Sequence, residues 1–190
     1  MKINERGFWE NETAEGHGHD DGLASGVAEF LKQNEAKSVL DFGCGTGYYT
    51  NFLADRGFAS NGIDGNPNTI KLAGPRCFVA DLTKPLKLLP ADWVLCLEVG
   101  EHIPQEYEEI FLNNLHNHNR DGIILSWAVR GQGGDGHVNC KDNEEIIPTV
   151  CSMGYDFEVP QTHTLRQRCA VYPNIGWWFR NTLMIFRRKK

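Results

Sequence analysis

The sequence predicts a doubly wound α/β domain, in which a mostly parallel β-sheet carries helices on both faces. Two observations support this fold class. In residues 38–47, SVLDFGCGTG, a short apolar strand with an acidic residue leads into three alternating glycines and then into a segment of helical spacing. The next two predicted strands, residues 58–64 and 77–80, also end at or just before an aspartate. Acids that recur in this way would meet at one edge of a parallel sheet, where ligands of such folds bind.

The composition is that of one globular domain. The chain has 190 residues, of which 41% are hydrophobic and 23% charged, enough for a sizeable core but not for a second full domain. No apolar run approaches the roughly 18 residues that span a bilayer, and residues 1–12 lack the apolar segment of a secretion signal. We therefore expect a cytoplasmic protein with no membrane partner.

The charge and the cysteine content argue against a nucleic-acid-binding protein and against a protein held together by disulfides or zinc. The net charge is −6, with 25 acidic and 19 basic residues, which argues against broad binding to nucleic acid. The six cysteines contain no C-x-x-C pair, so they indicate reduced thiols rather than a disulfide framework or a zinc cluster.

The glycine loop indicates the kind of ligand. Gly43, Gly45 and Gly47 let the backbone take positive φ angles and approach a ligand closely. Dinucleotide-binding loops have the pattern G-x-G-x-x-G and meet a pyrophosphate, whereas here Asp41 precedes the glycines. A carboxylate repels phosphate and attracts an ammonium group, which favours a cofactor with an amino-acid end and no phosphate.

Residues 38–47 resemble the first motif of the class I S-adenosylmethionine-dependent methyltransferases, and the resemblance extends over residues 23–187. It implies a Rossmann-like sheet of seven strands in the order 3-2-1-4-5-7-6, with strand 7 antiparallel. It also implies S-adenosyl-L-methionine as cofactor and S-adenosyl-L-homocysteine as product. Residues 23–190 would form this single domain, and residues 1–22, rich in glycine, histidine and acids, would form an arm or lid.

The first helix is expected at residues 23–32, with Asp20 or Asp21 as its N-cap, and the resemblance places it over the cofactor. Before it, His17 and His19 either lie on a mobile surface or reach the substrate side.

The acids after the second and third strands complete the predicted cofactor site. Asp64 lies 17 residues beyond Gly47, close to the interval of about 20 residues at which a carboxylate meets ribose hydroxyls. Asn66 is expected to cap a short helix that begins at Pro67. The resemblance implies that Asp81 binds the adenine amino group. The full set of predicted cofactor contacts is Asp41, Gly43, Cys44, Gly45, Gly47, Asp64, Gly65, Asn66, Asp81, Leu82 and Glu98.

A second motif, E-x-x-E-H, follows the fourth strand, residues 93–97. On a helix, Glu98, Glu101 and His102 would share one face, and His137 would join them from the loop 129–140. These ligands suit a divalent cation. The arrangement resembles that of metal-dependent O-methyltransferases, including the ubiquinone-pathway and small-RNA 2′-O-methyltransferases. Class I enzymes without a metal carry the same motif, and there the glutamate borders the cofactor and the histidine shapes the pocket.

The rest of the chain is expected to complete the sheet. A helix begins near Pro104, strands follow at residues 122–128, 155–159 and 182–187, and Asp142 caps a helix that ends before Gly154. The aromatic residues of segment 161–181 either wall an acceptor pocket or pack against the sheet.

We therefore expect methyl transfer from S-adenosylmethionine to a small hydroxylated acceptor, either a sugar or a phenol, with no nucleic-acid partner. His137 is the first candidate for the base that removes the hydroxyl proton, and His102 is the second. An inactive binding or regulatory subunit of the same fold is the main alternative. A nicotinamide oxidoreductase conflicts with the loop pattern. The sequence implies no particular oligomeric state.

Overall fold

The computed structural model of the protein describes residues 2–10 and 12–190. One sheet of seven strands runs through the domain in the order β3-β2-β1-β4-β5-β7-β6, which confirms the expected order. Strand β7 is antiparallel to both of its neighbours, and the other pairs are parallel. The strands are β1 Ser38–Phe42, β2 Ala59–Asp64, β3 Cys77–Val79, β4 Ala91–Leu97, β5 Asn119–Ser126, β6 Tyr155–Phe157 and β7 Leu183–Arg188.

Seven α-helices are present in the described part of the chain. They are α1 Asp21–Gln33, α2 Tyr48–Ala54, α3 Thr69–Ala73, α4 Glu108–Asn117, α5 Asn143–Ser152, α6 Val159–Arg168 and α7 Phe179–Thr182. The side chain of Asp20 accepts the backbone N–H of Leu23 at 2.9 Å and is the N-cap of α1, as predicted. None of these helices is both long and apolar enough to cross a membrane.

The core lies on both faces of the sheet because side chains alternate along each strand. In β4, Trp93 and Leu95 point to the face covered by α1, α2 and α6. Val94 and Cys96 point to the other face and pack there with residues of α4 and α5. All four side chains are fully buried. A central strand that is apolar on both faces is expected in a doubly wound sheet.

The register brings the carboxyl ends of the central strands to one edge. Phe42 of β1 pairs with Ile63 of β2, and Asp64 at the end of β2 pairs with Val79 of β3. The loops that follow these strands therefore emerge side by side, which places the predicted cofactor residues at one edge of the sheet.

Several predicted boundaries are wrong. Helix α3 begins at Thr69, because residues 66–69 form a turn in which the Thr69 N–H donates to the Asn66 carbonyl at 3.0 Å. The helix expected near Pro104 begins at Glu108, after a 3₁₀ turn over Gln105–Tyr107. Strand β6 ends at Phe157, and the sequence did not predict α6, which begins two residues later with Pro160 in its first turn.

Residues 2–10 form a short structure before the domain that we call the N-terminal hairpin. Ile3 and Trp9 form an antiparallel bridge, and the Glu10 N–H donates to the Lys2 carbonyl at 2.8 Å. Its turn is closed by the Gly7 N–H, which donates to the Asn4 carbonyl at 2.9 Å. These residues fall within the predicted arm, so this part of the arm has regular structure.

Candidate cofactor site and active site

A cavity of about 580 Å³ opens at the carboxyl edge of the sheet. Its walls come from the loops after β1, β2, β3, β4 and β5, from the N-terminal hairpin and residues 16–18, and from the aromatic residues 177–179. Eight of the predicted cofactor residues line it, namely Asp41, Gly43, Cys44, Gly45, Asp64, Gly65, Leu82 and Glu98. Gly47, Asn66 and Asp81 lie outside this lining.

At two glycines of the first loop, Gly45 and Gly47, another residue lies so close that a Cβ would clash with it. Gly45 has a φ of +53°, and a Cβ there would lie 2.5 Å from the His17 ring. Gly47 has a φ of +72°, and a Cβ there would lie 2.8 Å from the Cβ of Ala73. Gly45 thus keeps the cavity side of the loop open, whereas Gly47 allows the start of α2 to pack against α3.

Asp41 lies beneath the loop and is only 3% exposed. Its Oδ2 accepts the Thr50 hydroxyl at 2.7 Å. Burial raises the pKa of Asp41 to about 7, and the charge of Asp64 adds to the rise. A cationic ligand group next to this carboxyl would favour its ionised form.

Asp64 joins two backbone segments at the cavity. Its Oδ2 accepts the Gly45 N–H at 2.9 Å, and its Oδ1 accepts the Asn66 N–H at 2.8 Å. Each carboxylate oxygen has two acceptor sites, so both can also accept a ligand hydroxyl.

Asp81 has partners of its own. Its Oδ1 accepts the Thr83 N–H at 3.0 Å and the Thr83 hydroxyl at 2.6 Å, and its Oδ2 lies 3.6 Å from Arg6 and 3.4 Å from Lys84. Burial acts to raise the pKa of Asp81, but these hydrogen bonds and charges outweigh it and hold the pKa below its usual value. The neighbouring residue, Leu82, reaches the cavity wall.

Glu98 leaves β4 with a φ of +53°, a strained conformation for a residue other than glycine. Its carboxylate accepts Gln132 Nε2 at 2.5 Å and the Thr182 hydroxyl at 3.1 Å, and burial raises its pKa. The prediction that a helix places Glu98 on one face with Glu101 and His102 is wrong, because the 3₁₀ turn Gly100–His102 begins only after Glu98.

Glu101, His102 and His137 form a compact group, in which one potential ligand atom from each residue lies within 4.8 Å of the others. Glu98 does not belong to it. Glu101 is fully buried, and neither of its carboxylate oxygens has a hydrogen-bond partner among the described residues. His137 Nε2 lies 4.0 Å from Glu101 Oε1, and the two imidazole rings are 4.9 Å apart.

The protonation of this group follows from its contacts. His137 Nδ1 lies 3.1 Å from the Gln132 carbonyl, which can only accept, so Nδ1 is the donor in this contact and Nε2 is the ring nitrogen that a ligand can reach. Burial lowers the pKa of His102 to about 4, with contributions from His137 and His17. Burial also raises the pKa of Glu101 well above its usual value, and Glu98 adds to the rise. An ionised glutamate oxygen and two imidazole nitrogens are suitable ligands for a divalent transition-metal ion, so these residue types fit such a group once the Glu101 carboxyl group has lost its proton.

Sequence reasoning missed the residues that the N-terminal hairpin brings to the cavity. They are Arg6, Gly7, Phe8 and Trp9. The apolar pair Phe8-Trp9 within a polar segment was the signal that could have identified them. Of the two histidines that the sequence left either on the surface or on the substrate side, His17 lines the cavity and His19 is exposed outside its lining.

The aromatic segment contributes both to the cavity wall and to the packing against the sheet. Trp177 and Trp178 line the cavity, while Phe179 reaches it and also packs in the core with 3% exposure.

The strand order and the glycine loop at the carboxyl edge define a class I methyltransferase fold. A model of the methyltransferase domain family matches residues 16–128, more than half of the chain. The protein therefore belongs to the family of class I S-adenosylmethionine-dependent methyltransferases.

Solved structures of several methyltransferases share this fold at low sequence identity. Magnesium protoporphyrin IX methyltransferase (ChlM) from Synechocystis, with bound SAH, has a TM-score of 0.67 and 18% identity over 87% of this chain and 81% of that chain. The sugar N-methyltransferase KedS8 from Streptoalloteichus has a TM-score of 0.67 and 15% identity, covering 90% of this chain and 88% of that one. The methyltransferase domain of a bacterial Hen1 has a TM-score of 0.63 and 20% identity, covering 88% and 97%. No curated protein sequence matches the chain.

Proposed function

We propose that the protein transfers the methyl group of S-adenosylmethionine to a hydroxyl group of a small acceptor, either a sugar or a phenol. The observation that carries the proposal is that Gly45, Asp64 and Leu82, from three separate loops, line one cavity at the carboxyl edge of the sheet. Family membership makes S-adenosylmethionine the expected occupant.

The chain offers a partner for each end of this cofactor. Asp41 and Asp64 both line the cavity, where the Asp41 carboxylate would hold the ammonium group and Asp64 would accept hydrogen bonds from the ribose hydroxyls. Leu82 lines the cavity beside Asp81, so these two residues would hold the adenine edge. When bound, the cofactor supplies an activated methyl group on a sulfonium, so the protein mainly aligns the acceptor and removes its proton.

His137 is the proposed base. Its Nδ1 proton is directed at the Gln132 carbonyl, which orients the ring and leaves the Nε2 lone pair free to take a proton. His102, with a pKa of about 4, is neutral near pH 7 but is the weaker base, so it is the second choice.

A small acceptor suits the charges of the cavity better than a nucleic acid does. Arg6 is the only lysine or arginine in its lining among the residues that the structure describes, and it is already paired with Asp81. Binding to a phosphate backbone depends on several such cations. Two of the similar structures, ChlM and KedS8, are named for a porphyrin and a sugar.

The experiment uses methyl-labelled S-adenosylmethionine with catechol or methyl glucoside as acceptor, after calorimetric titration with S-adenosylhomocysteine. We expect S-adenosylhomocysteine to bind, NADH to fail as a competitor, and label to appear on one acceptor. Tight binding without transfer to any acceptor tested would favour a binding subunit. Absence of S-adenosylhomocysteine binding would contradict the proposal.

We also propose that Glu101, His102 and His137 hold a divalent cation. A buried carboxyl group whose oxygens have no hydrogen-bond partner among the described residues is costly, and two imidazole rings lie beside that of Glu101. When bound, the cation lowers the pKa of an adjacent hydroxyl. The three residues would hold it next to the cavity, whose lining includes His102 and His137.

Titration with Co²⁺, followed by its visible absorption, tests this site without an acceptor. We expect the wild type to bind one equivalent and Glu101→Gln to bind at least about 10- to 100-fold more weakly. Glu109→Gln, at an exposed position on α4, is the matched control and should behave as wild type. Equal Co²⁺ binding by Glu101→Gln and Glu109→Gln would exclude the site.

A further inference from the structure

The N-terminal hairpin contacts the loop that carries Asp64. A Cβ added to Gly65 would lie 2.6 Å from both Cβ and Cγ of Phe8, so the Phe8 side chain rests directly on the Gly65 backbone. Phe8 also lines the cavity. Since Gly65 follows the proposed ribose ligand, Phe8 stands opposite the loop where the nucleoside end of the cofactor would lie.

A second contact ties the hairpin to the loop after β3. Arg6 donates to the Thr83 hydroxyl at 2.9 Å, and its guanidinium lies 3.6 Å from Asp81 Oδ2. The same guanidinium lies over the Tyr107 ring at 5.1 Å. Arg6 therefore anchors the hairpin beside the proposed adenine position.

In a third contact, the turn of the hairpin packs against the 3₁₀ turn Gly100–His102 that follows β4. Gly7 is buried with a φ of +92°, and a Cβ there would overlap the carbonyl oxygen of His102. Trp9 then meets the His102 ring edge-on at 5.6 Å and the His17 ring at 5.0 Å. His17 in turn covers Gly45. The hairpin and His17 thus reach each of the three loops to which we assign the cofactor.

From these contacts we infer that the N-terminal hairpin is a wall of the cofactor site, with Phe8 as its nucleoside-contacting residue and Arg6 and Gly7 as the residues that position it. This inference rests on the proposed function. Phe8 is half-buried, and its apolar face would gain a partner when a nucleoside binds. Because the hairpin lies over this side of the cavity, the contacts that hold it on His102 and Thr83 should slow release of the cofactor.

The test compares the affinity and dissociation rate of S-adenosylhomocysteine among wild type, Phe8→Ala, Gly7→Ala and the control Leu89→Ala. Leu89 is 89% exposed and does not line the cavity. Losing the burial of a phenylalanine side chain weakens binding by about 10- to 100-fold, and we expect Phe8→Ala to show this in its dissociation rate. Gly7→Ala removes no side chain yet displaces the hairpin, so it should shift the dissociation rate in the same direction. Leu89→Ala should stay within about twofold of wild type.

Limited trypsin digestion gives a second measurement. The bond between Arg6 and Gly7 should be protected by S-adenosylhomocysteine in the wild type and much less in Gly7→Ala. A hairpin that only stabilises the fold would change the melting temperature of the variants and leave their dissociation rates unchanged, which would overturn the inference. Failure of the wild type itself to bind S-adenosylhomocysteine would instead contradict the proposed function.

Discussion

The carboxylate of Asp64 accepts the backbone N–H of Gly45 at 2.9 Å. The acid at the end of β2 therefore also holds the glycine loop that follows β1. Its other oxygen accepts the Asn66 N–H, so one side chain connects two of the loops that line the cavity. Asp64 thus positions the loop as well as offering oxygens to a ligand.

We predict that Asp64→Ala weakens S-adenosylhomocysteine binding by about 1.5–3 kcal/mol, because both the ligand hydroxyls and the Gly45 N–H lose a charged acceptor. Asp64→Asn keeps one acceptor oxygen and should lose less. Calorimetry measures both, with the exposed Asp55→Ala as control. An unchanged dissociation constant in Asp64→Ala would show that this residue is not the ribose ligand.

We predict that Gly45→Val abolishes cofactor binding. Its Cβ would lie 2.5 Å from His17 on the cavity side of the loop, and its φ of +53° is unfavourable for valine. Gly57→Val is a matched control, because Gly57 has a φ of +91° but no atom within 4 Å of its Cβ position. Both variants should lose stability through backbone strain, and only Gly45→Val should lose S-adenosylhomocysteine binding. Normal binding by a folded Gly45→Val would place the cofactor elsewhere.

The strand order was predictable because several signals agreed. Asp41 and Asp64 mark successive strand ends, and the register of β1 and β2 brings those ends together as the pattern requires. The alternation in β4 is equally local, since Trp93 and Val94 point to opposite faces in any extended strand. Features that follow from local periodicity and from the resemblance were therefore accessible from the sequence.

Features that depend on tertiary contacts could not be predicted from the sequence. Glu98 follows β4 in a positive-φ conformation held by Gln132 and Thr182, which are 34 and 84 residues away in sequence. A helical pattern cannot anticipate such a bend. Likewise, the N-terminal hairpin is placed by the contact of Gly7 with His102, and no pattern within residues 2–10 indicates that partner.

We predict that Asp41 makes the protein less stable as the pH rises. Its pKa is 3.8 ordinarily and about 7 in the folded state, so the folded state binds the extra proton between these values. Stability from this group is present at low pH and is lost as the pH approaches 7. Between pH 5 and pH 8, the free energy of unfolding should therefore fall by roughly 2–3 kcal/mol less in Asp41→Asn than in the wild type.

Urea unfolding of wild type and Asp41→Asn at the two pH values measures this difference. Burial also raises the pKa of Glu98 and Glu101, and both groups are present in each protein, so the comparison isolates Asp41. Parallel pH profiles for the two proteins would show that Asp41 is ionised at pH 5 in the folded state.

The last prediction separates the two roles of His137, whose Nε2 lies 4.0 Å from Glu101 Oε1. As a base, its replacement in His137→Ala should lower turnover by roughly 10²–10⁴ with nearly unchanged cofactor affinity, and chelators should have no effect on the wild type. As a cation ligand, its loss should resemble that of Glu101→Gln, and a chelator should silence the wild type until a divalent ion is restored.

Turnover of wild type, His137→Ala and Glu101→Gln is measured with and without chelator, using an acceptor identified by label transfer. His163→Ala, at an exposed position in α6, is the control for loss of a histidine. A loss of turnover in His137→Ala but not in Glu101→Gln, unaffected by chelator, indicates that His137 is the base. In that case proton removal needs neither Glu101 nor a cation. Equal losses in both variants that track metal removal indicate the cation. Normal turnover of His137→Ala under both conditions would contradict both roles and leave His137 as a residue that only shapes the cavity.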